Sequence, residues 1–155
     1  MGGGVSILDA SSGAVLHELP GTKGAEEIIV AGNRLILVKR QWLSKGSFPG
    51  HSRNRHKLDA FSWKKRGGRQ SVIVFDIDTR KLLWEKQIPI APLGVGSRDG
   101  QVYVFDGERV LSLGLDSGEE TWTSAKFCKP NPYTPNYGSG LVCGKTRIMV
   151  GRISG

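Results

Sequence analysis

A chain of 155 residues and 16.8 kDa, 38% hydrophobic and with 22 glycines, has the length of one domain and enough apolar residues for a packed core. No apolar run nears the roughly 20 residues that span a bilayer. The first residues carry Asp9, Ser11, Ser12 and Glu18 with no basic start and no export-length apolar stretch, so neither a transmembrane segment nor a secretion signal is expected. The 22 Lys and Arg against 14 Asp and Glu give a net charge of +8, but Lys39 to Arg69 alone holds ten bases and one acid. A near-neutral body with one cationic insert follows, and a field from the whole surface explains no binding.

In chain order, short runs of alternating apolar residues predict strands at Val5 to Asp9, Val15 to Leu19, Ile28 to Val30 and Leu35 to Val38. After the insert come Val72 to Asp76, Leu82 to Gln87, Leu93 to Val95, Val102 to Phe105, Val110 to Leu115, Thr121 to Lys126, Leu141 to Cys143 and Arg147 to Val150. Gly32-Asn33, Asp99-Gly100, Asp106-Gly107 and Ser117-Gly118 supply the turns. No window shows helical spacing with caps at both ends, so the expected class is all-β. Cys128 and Cys143 stand alone, with no histidine nearby and no second pair, which excludes a zinc cage; they read as two small apolar thiols, with a disulfide as the alternative.

Three stretches superimpose: VSILDASSGAVLHEL from Val5, SVIVFDIDTRKLLWEK from Ser71 and RVLSLGLDSGEETWTS from Arg109. Each has a strand ending near an acid, a turn with Gly13, Arg80 or Gly118, and then His17, Trp84 or Trp122 four residues later. Arg80 and Gly118 lie 38 residues apart and Gly13 and Arg80 lie 67 apart, and the surplus matches an insert at 41–70. A period near 40 with four short strands per unit is the signature of a β-propeller blade. Residues 1–155 therefore read as one partial propeller of about three four-stranded antiparallel blades: two whole ones and a half at each end. Rings have typically four to eight blades. Three do not close, so the expectation is a fragment of a larger ring or half of a six-bladed dimer.

The stretch Val74-Phe75-Asp76-Ile77-Asp78-Thr79-Arg80-Lys81-Leu82-Leu83-Trp84 resembles the repeat A-x-D-x-x-T-G-K-x-x-W of the pyrroloquinoline quinone (PQQ)-like propeller family, with Val for Ala and Arg for Gly. Ser112 to Trp122 matches with Gly114 in the Asp place and Glu119 in the Lys place, and Ile7 to His17 keeps Asp9 and Gly13 but has His17 for Trp. The resemblance covers the chain outside the insert and extends to large multi-blade PQQ-like repeat proteins of bacteria. It implies that Trp84 and Trp122 dock onto the adjacent blade, with His17 a packing substitute in the same place. It also implies a periplasmic or extracytoplasmic location.

Enzymes of that family hold PQQ and calcium through acidic and amide side chains near the ring axis, often beside a vicinal disulfide, and this chain has no Cys-Cys pair. Its acids fall mostly in turns and outer strands (Asp76, Asp78, Asp99, Asp106, Glu108, Asp116, Glu119, Glu120), where turn capping accounts for them. Glu26 and Glu27 are the inner-strand candidates and lack a matching set of calcium ligands. No catalytic, cofactor or metal residues are assigned. Gly94-Val95-Gly96-Ser97-Arg98 has two of three dinucleotide-fingerprint glycines but no following helix, and reads as an inner strand near a crowded axis. His51 and His56 are poorly spaced for a shared metal.

The insert interleaves Trp42, Phe48, Phe61 and Trp63 with Arg53, Arg55, Lys57, Lys64, Lys65, Arg66 and Arg69. That pattern suits nucleic acid or another polyanion, since rings stack on bases while cations neutralise phosphates; the alternative is a solvated loop. The expected function is a non-catalytic scaffold module binding a protein partner or further blades. A fragment of a PQQ-dependent quinoprotein dehydrogenase is the first alternative, and polyanion binding by the insert is the second.

Overall fold

The computed structural model describes residues 4–41, 69–127 and 140–151, and these form twelve strands with no helix among them. The strands are β1 (Val5–Leu8), β2 (Val15–Leu19), β3 (Ala25–Ala31), β4 (Arg34–Gln41), β5 (Arg69–Asp76), β6 (Leu82–Gln87), β7 (Val95–Arg98), β8 (Gln101–Phe105), β9 (Val110–Gly114), β10 (Glu120–Thr123), β11 (Leu141–Cys143) and β12 (Ile148–Val150). Every pairing is antiparallel between neighbours in sequence, giving sheet I (β1-β2), sheet II (β3-β4-β5-β6), sheet III (β7-β8-β9-β10) and sheet IV (β11-β12). The four sheets do not close into a ring among the described residues.

The sheets stack in chain order, and the apolar runs show why. In β4 and β5, Leu35, Leu37, Ile73 and Phe75 join a core with Val5 and Leu19 of sheet I, whereas the intervening Ile36, Val38, Val72 and Val74 join one with Val95, Val102, Val104 and Leu113 of sheet III. Successive strand residues point to opposite faces, so a strand covered on both sides must be apolar at every position. The runs Leu35-Ile36-Leu37-Val38 and Val72-Ile73-Val74-Phe75 meet that requirement. Phe105, Val110 and Leu141 form a third core between sheets III and IV, with Tyr103, Cys143, Ile148 and Val150 packed against it. Each such Val, Leu or Ile contributes about 1.5–3 kcal/mol by leaving water.

Backbone and amide contacts tie the sheets together. Gln70 Oε1 accepts the Ile90 N–H at 2.8 Å, fixing the connection from sheet II to sheet III, and Glu27 Oε1 accepts the Leu93 N–H at 2.7 Å. Thr22 Oγ1 accepts the Val5 N–H and donates to the Leu19 carbonyl, both at 2.7 Å, pinning the exit of sheet I. Gly96 has its neighbours so close that a Cβ would lie 2.7 Å from Leu141 and 2.8 Å from Cys143, so only glycine lets β11 approach β7.

Several strand limits differ from the sequence reading. β3, β4 and β5 are longer than expected, and β4 and β5 stay paired to Gln41↔Arg69, so the connection between them is 42–68. The strand expected at Leu93 to Val95 begins instead at Val95, because Leu93 is left-handed (φ 52°) and the Gly94 N–H turns back to the Ala91 carbonyl at 2.9 Å. β10 stops at Thr123; beyond it the Ser124 N–H bonds the Val110 carbonyl and the Phe127 N–H the Glu108 carbonyl without continuing the ladder.

Candidate functional site

The most repeated chemistry in the molecule is the outer hairpin of sheets I, II and III. In all three the last residue of the first strand region (Asp9, Asp76, Gly114) donates its N–H five residues on, to Ala14, Lys81 or Glu119, at 2.8–2.9 Å. The residue just before that acceptor is left-handed each time: Gly13 (φ 71°), Arg80 (φ 59°) and Gly118 (φ 69°). Each return strand then carries a bulge at the same place, so that His17, Trp84 and Trp122 face Ile7, Val74 and Ser112. The bulge keeps the ring on the face that looks toward the next sheet.

What each ring meets depends on the next sheet. Trp84 Nε1 donates to the Leu115 carbonyl of sheet III at 2.8 Å, and its ring covers Gly118, where a Cβ would stand 2.6 Å from Trp84 Cδ2. His17 lies with both ring nitrogens 3.0 Å from the Arg80 guanidinium of sheet II. Ring to left-handed residue of the following hairpin is thus one relation used twice. Trp122 has no such partner among the described residues: it is 44% exposed and packs beside Tyr103 of its own sheet, ring centres 5.9 Å apart. With Val110, Ser124, Phe127, Ile148 and Val150 it lines an open groove of about 280 Å³ between sheet III and β12.

The carboxylates are engaged in turns. Asp9 Oδ1 accepts from the hydroxyls and backbone N–H groups of Ser11 and Ser12 at 2.6–3.0 Å, and those four donors hold its carboxyl down at about 2. Asp76 Oδ1 accepts the Thr79 N–H and hydroxyl at 2.7 and 2.8 Å, and these bonds, with the nearby Arg34 charge, put its carboxyl below the usual range. Asp106 Oδ1 caps the Asp106-Gly107 turn through the Glu108 and Arg109 N–H groups at 2.8 and 2.9 Å. Arg34, not singled out from sequence, bridges two sheets by reaching Asp76 at 2.5 Å and Asp116 at 2.6 Å, and the Asp116 bond raises its own pKa. An Arg after the Gly32-Asn33 turn was the available signal, but nothing in the sequence pairs it with an acid 82 residues away.

Among the described residues no group of three or more His, Cys, Asp or Glu is placed to hold a metal ion, and no helix is long and apolar enough to cross a membrane. Cys143 is a free, half-buried thiol whose pKa burial pushes up; Cys128 lies outside the described residues. So do Arg53, Arg55, Lys57, Lys64, Lys65 and Arg66, while Arg69 opens β5. Compared with protein-family models and with curated proteins, the sequence matches none.

Proposed function

We propose that the chain is a segment of a PQQ-like β-propeller that works as a non-catalytic, protein-binding scaffold. The observation that carries the reading is the outer hairpin that recurs three times with one turn geometry, one bulge and one ring position. Stacked sheets that each present a ring to the next are the device by which radial repeats bury faces that a single sheet leaves bare. The engaged carboxylates of Asp9, Asp76, Asp106 and Glu27 favour a scaffold over a quinoenzyme, because calcium takes six to eight oxygen ligands and these oxygens already hold backbone or hydroxyl donors. Titration with PQQ and calcium, followed by absorbance, tests this. No cofactor uptake is expected, and saturable one-to-one uptake would replace the scaffold with a fragment of a quinoprotein dehydrogenase. A partner bound by the scaffold is expected to be lost when the Gly32-Asn33 and Asp99-Gly100 turns are exchanged. The periplasmic or extracytoplasmic location comes from the resemblance and is checked by fractionating the native host.

A second reading, polyanion binding, is favoured by the anchoring of the basic insert. Its ends leave and enter the two central strands of sheet II, which stay in register to Gln41↔Arg69, so the cationic segment is tethered at both ends to a paired sheet. Binding to single-stranded oligonucleotide should fall steeply with salt, and the slope should flatten in K64A/K65A/R66A. A slope unchanged by those substitutions removes this reading.

A further inference from the structure

Interior repeats and end repeats present the same positions in opposite states. Leu113 and Leu8 occupy equivalent places before the outer turn; Leu113 is 0% exposed against sheet II, and Leu8 is 52% exposed. Gly118 is covered by Trp84, whereas nothing lies within 4 Å of a Cβ built on Gly13, and Trp122 covers no left-handed turn among the described residues. Val95 of β7 is buried against sheet II, yet Ile28, at the same register in β3, is exposed along with Val30, and so are Val142 and Met149 on the outward face of sheet IV. Among the described residues, sheet I has only the two outer strands and sheet IV only the two inner ones.

We propose that a second copy of this chain fills both ends at once. β11-β12 of one copy pairs through β12 with β1 of the other, completing a four-stranded sheet, and the two composite sheets close a six-sheet ring with twofold symmetry. The inference rests on the ring reading above.

The occupant is chosen by complementarity along the whole seam. Extending the β4-β5 register to β12 and β1 sets Arg147 opposite Asp9, as Arg34 stands opposite Asp76; Arg147 takes its place from the Gly144 N–H bond to its carbonyl at 2.8 Å. The same register lays Leu8 of the second copy into the groove of Trp122 and Phe127, as Leu113 lies against Val72 and Val74. It puts Trp122 over Gly13 of the second copy, and Val142 and Met149 over its Ile28 and Val30. Seven exposed apolar positions, one open left-handed glycine and one unlike-charge pair are matched by a single placement. A head-to-tail contact makes a ring if its rotation closes and a filament if it does not, and six sheets lie within the common ring sizes.

Light scattering on the 155-residue chain should give about twice 16.8 kDa. L8D and W122A should each give a monomer that keeps its strand circular dichroism. In a C128S/C143S background, D9C/R147C should oxidise to one covalent dimer and nothing larger. A monomer at every concentration overturns the second copy, a ladder of larger species overturns closure, and a dimer that survives L8D without cross-linking overturns this seam. The contact of Trp84 with Gly118 lies inside one copy, so measuring it separates a failed dimer from a failed ring reading.

Discussion

Trp84 and Trp122 sit at one position of the same bulged hairpin, and their surroundings share little. The indole of Trp84 bonds the Leu115 carbonyl and covers Gly118 on the next sheet, while Trp122 stays 44% exposed beside Tyr103 at the edge of a groove. The hairpin aims the ring, and the neighbouring sheet decides whether aiming becomes burial. Stability in this architecture is therefore a sum of nearest-neighbour interfaces.

That contrast can be broken most sharply at the leucines, with urea unfolding of the chain held monomeric by dilution. Leu113→Ala should cost about 2–5 kcal/mol, as for a fully buried leucine that leaves a cavity, whereas Leu8→Ala should stay within about 0.5 kcal/mol. Equal losses would mean that the sheets do not stack as described. The tryptophans come next: Trp84→Ala should cost about 3 kcal/mol through lost packing and an unpartnered Leu115 carbonyl, and Trp122→Ala less than half of that. At the glycines, Gly118→Ala and Gly13→Ala share a left-handed penalty of about 1–2 kcal/mol, but only at Gly118 does the new methyl meet an indole, adding about 1–3 kcal/mol.

The smallest expected effect is electrostatic. Asp9 in the folded chain titrates at about 2 against an ordinary 3.8, so its contribution is complete above 3.8 and is lost as pH falls toward 2. Asp76 is lowered in the same sense. Unfolding followed from pH 5 to pH 2 should show stability declining across that window, with a shallower decline in Asp9→Asn. A decline of unchanged slope would detach the Asp9 turn from acid stability.

Period-two alternation and turn glycines made all twelve strands and their partition into sheets readable, because antiparallel neighbours joined by short turns leave few other pairings. The runs in β4 and β5 showed burial but not its division between two faces, which only the flanking sheets assign. The bulge before each ring was hidden, since one extra residue changes no composition. The start of β7 was missed because a left-handed leucine at 93 has no sequence signal; Leu93 holds φ 52° with its N–H bonded to Glu27 and its carbonyl accepting the Leu141 N–H. Arg34 was missed for a related reason, as its two acids come from different repeats.

Sheets I, II and III stack with the ring of one hairpin on the left-handed turn of the next. Nuclear Overhauser spectroscopy on the intact chain tests this stacking directly. Cross-peaks are expected between the Trp84 indole protons and the Gly118 α-protons, with the latter shifted upfield by the ring and the Trp84 Nε1 proton slow to exchange. Absence of those cross-peaks, with a rapidly exchanging Trp84 Nε1 proton in an otherwise folded chain, would contradict it.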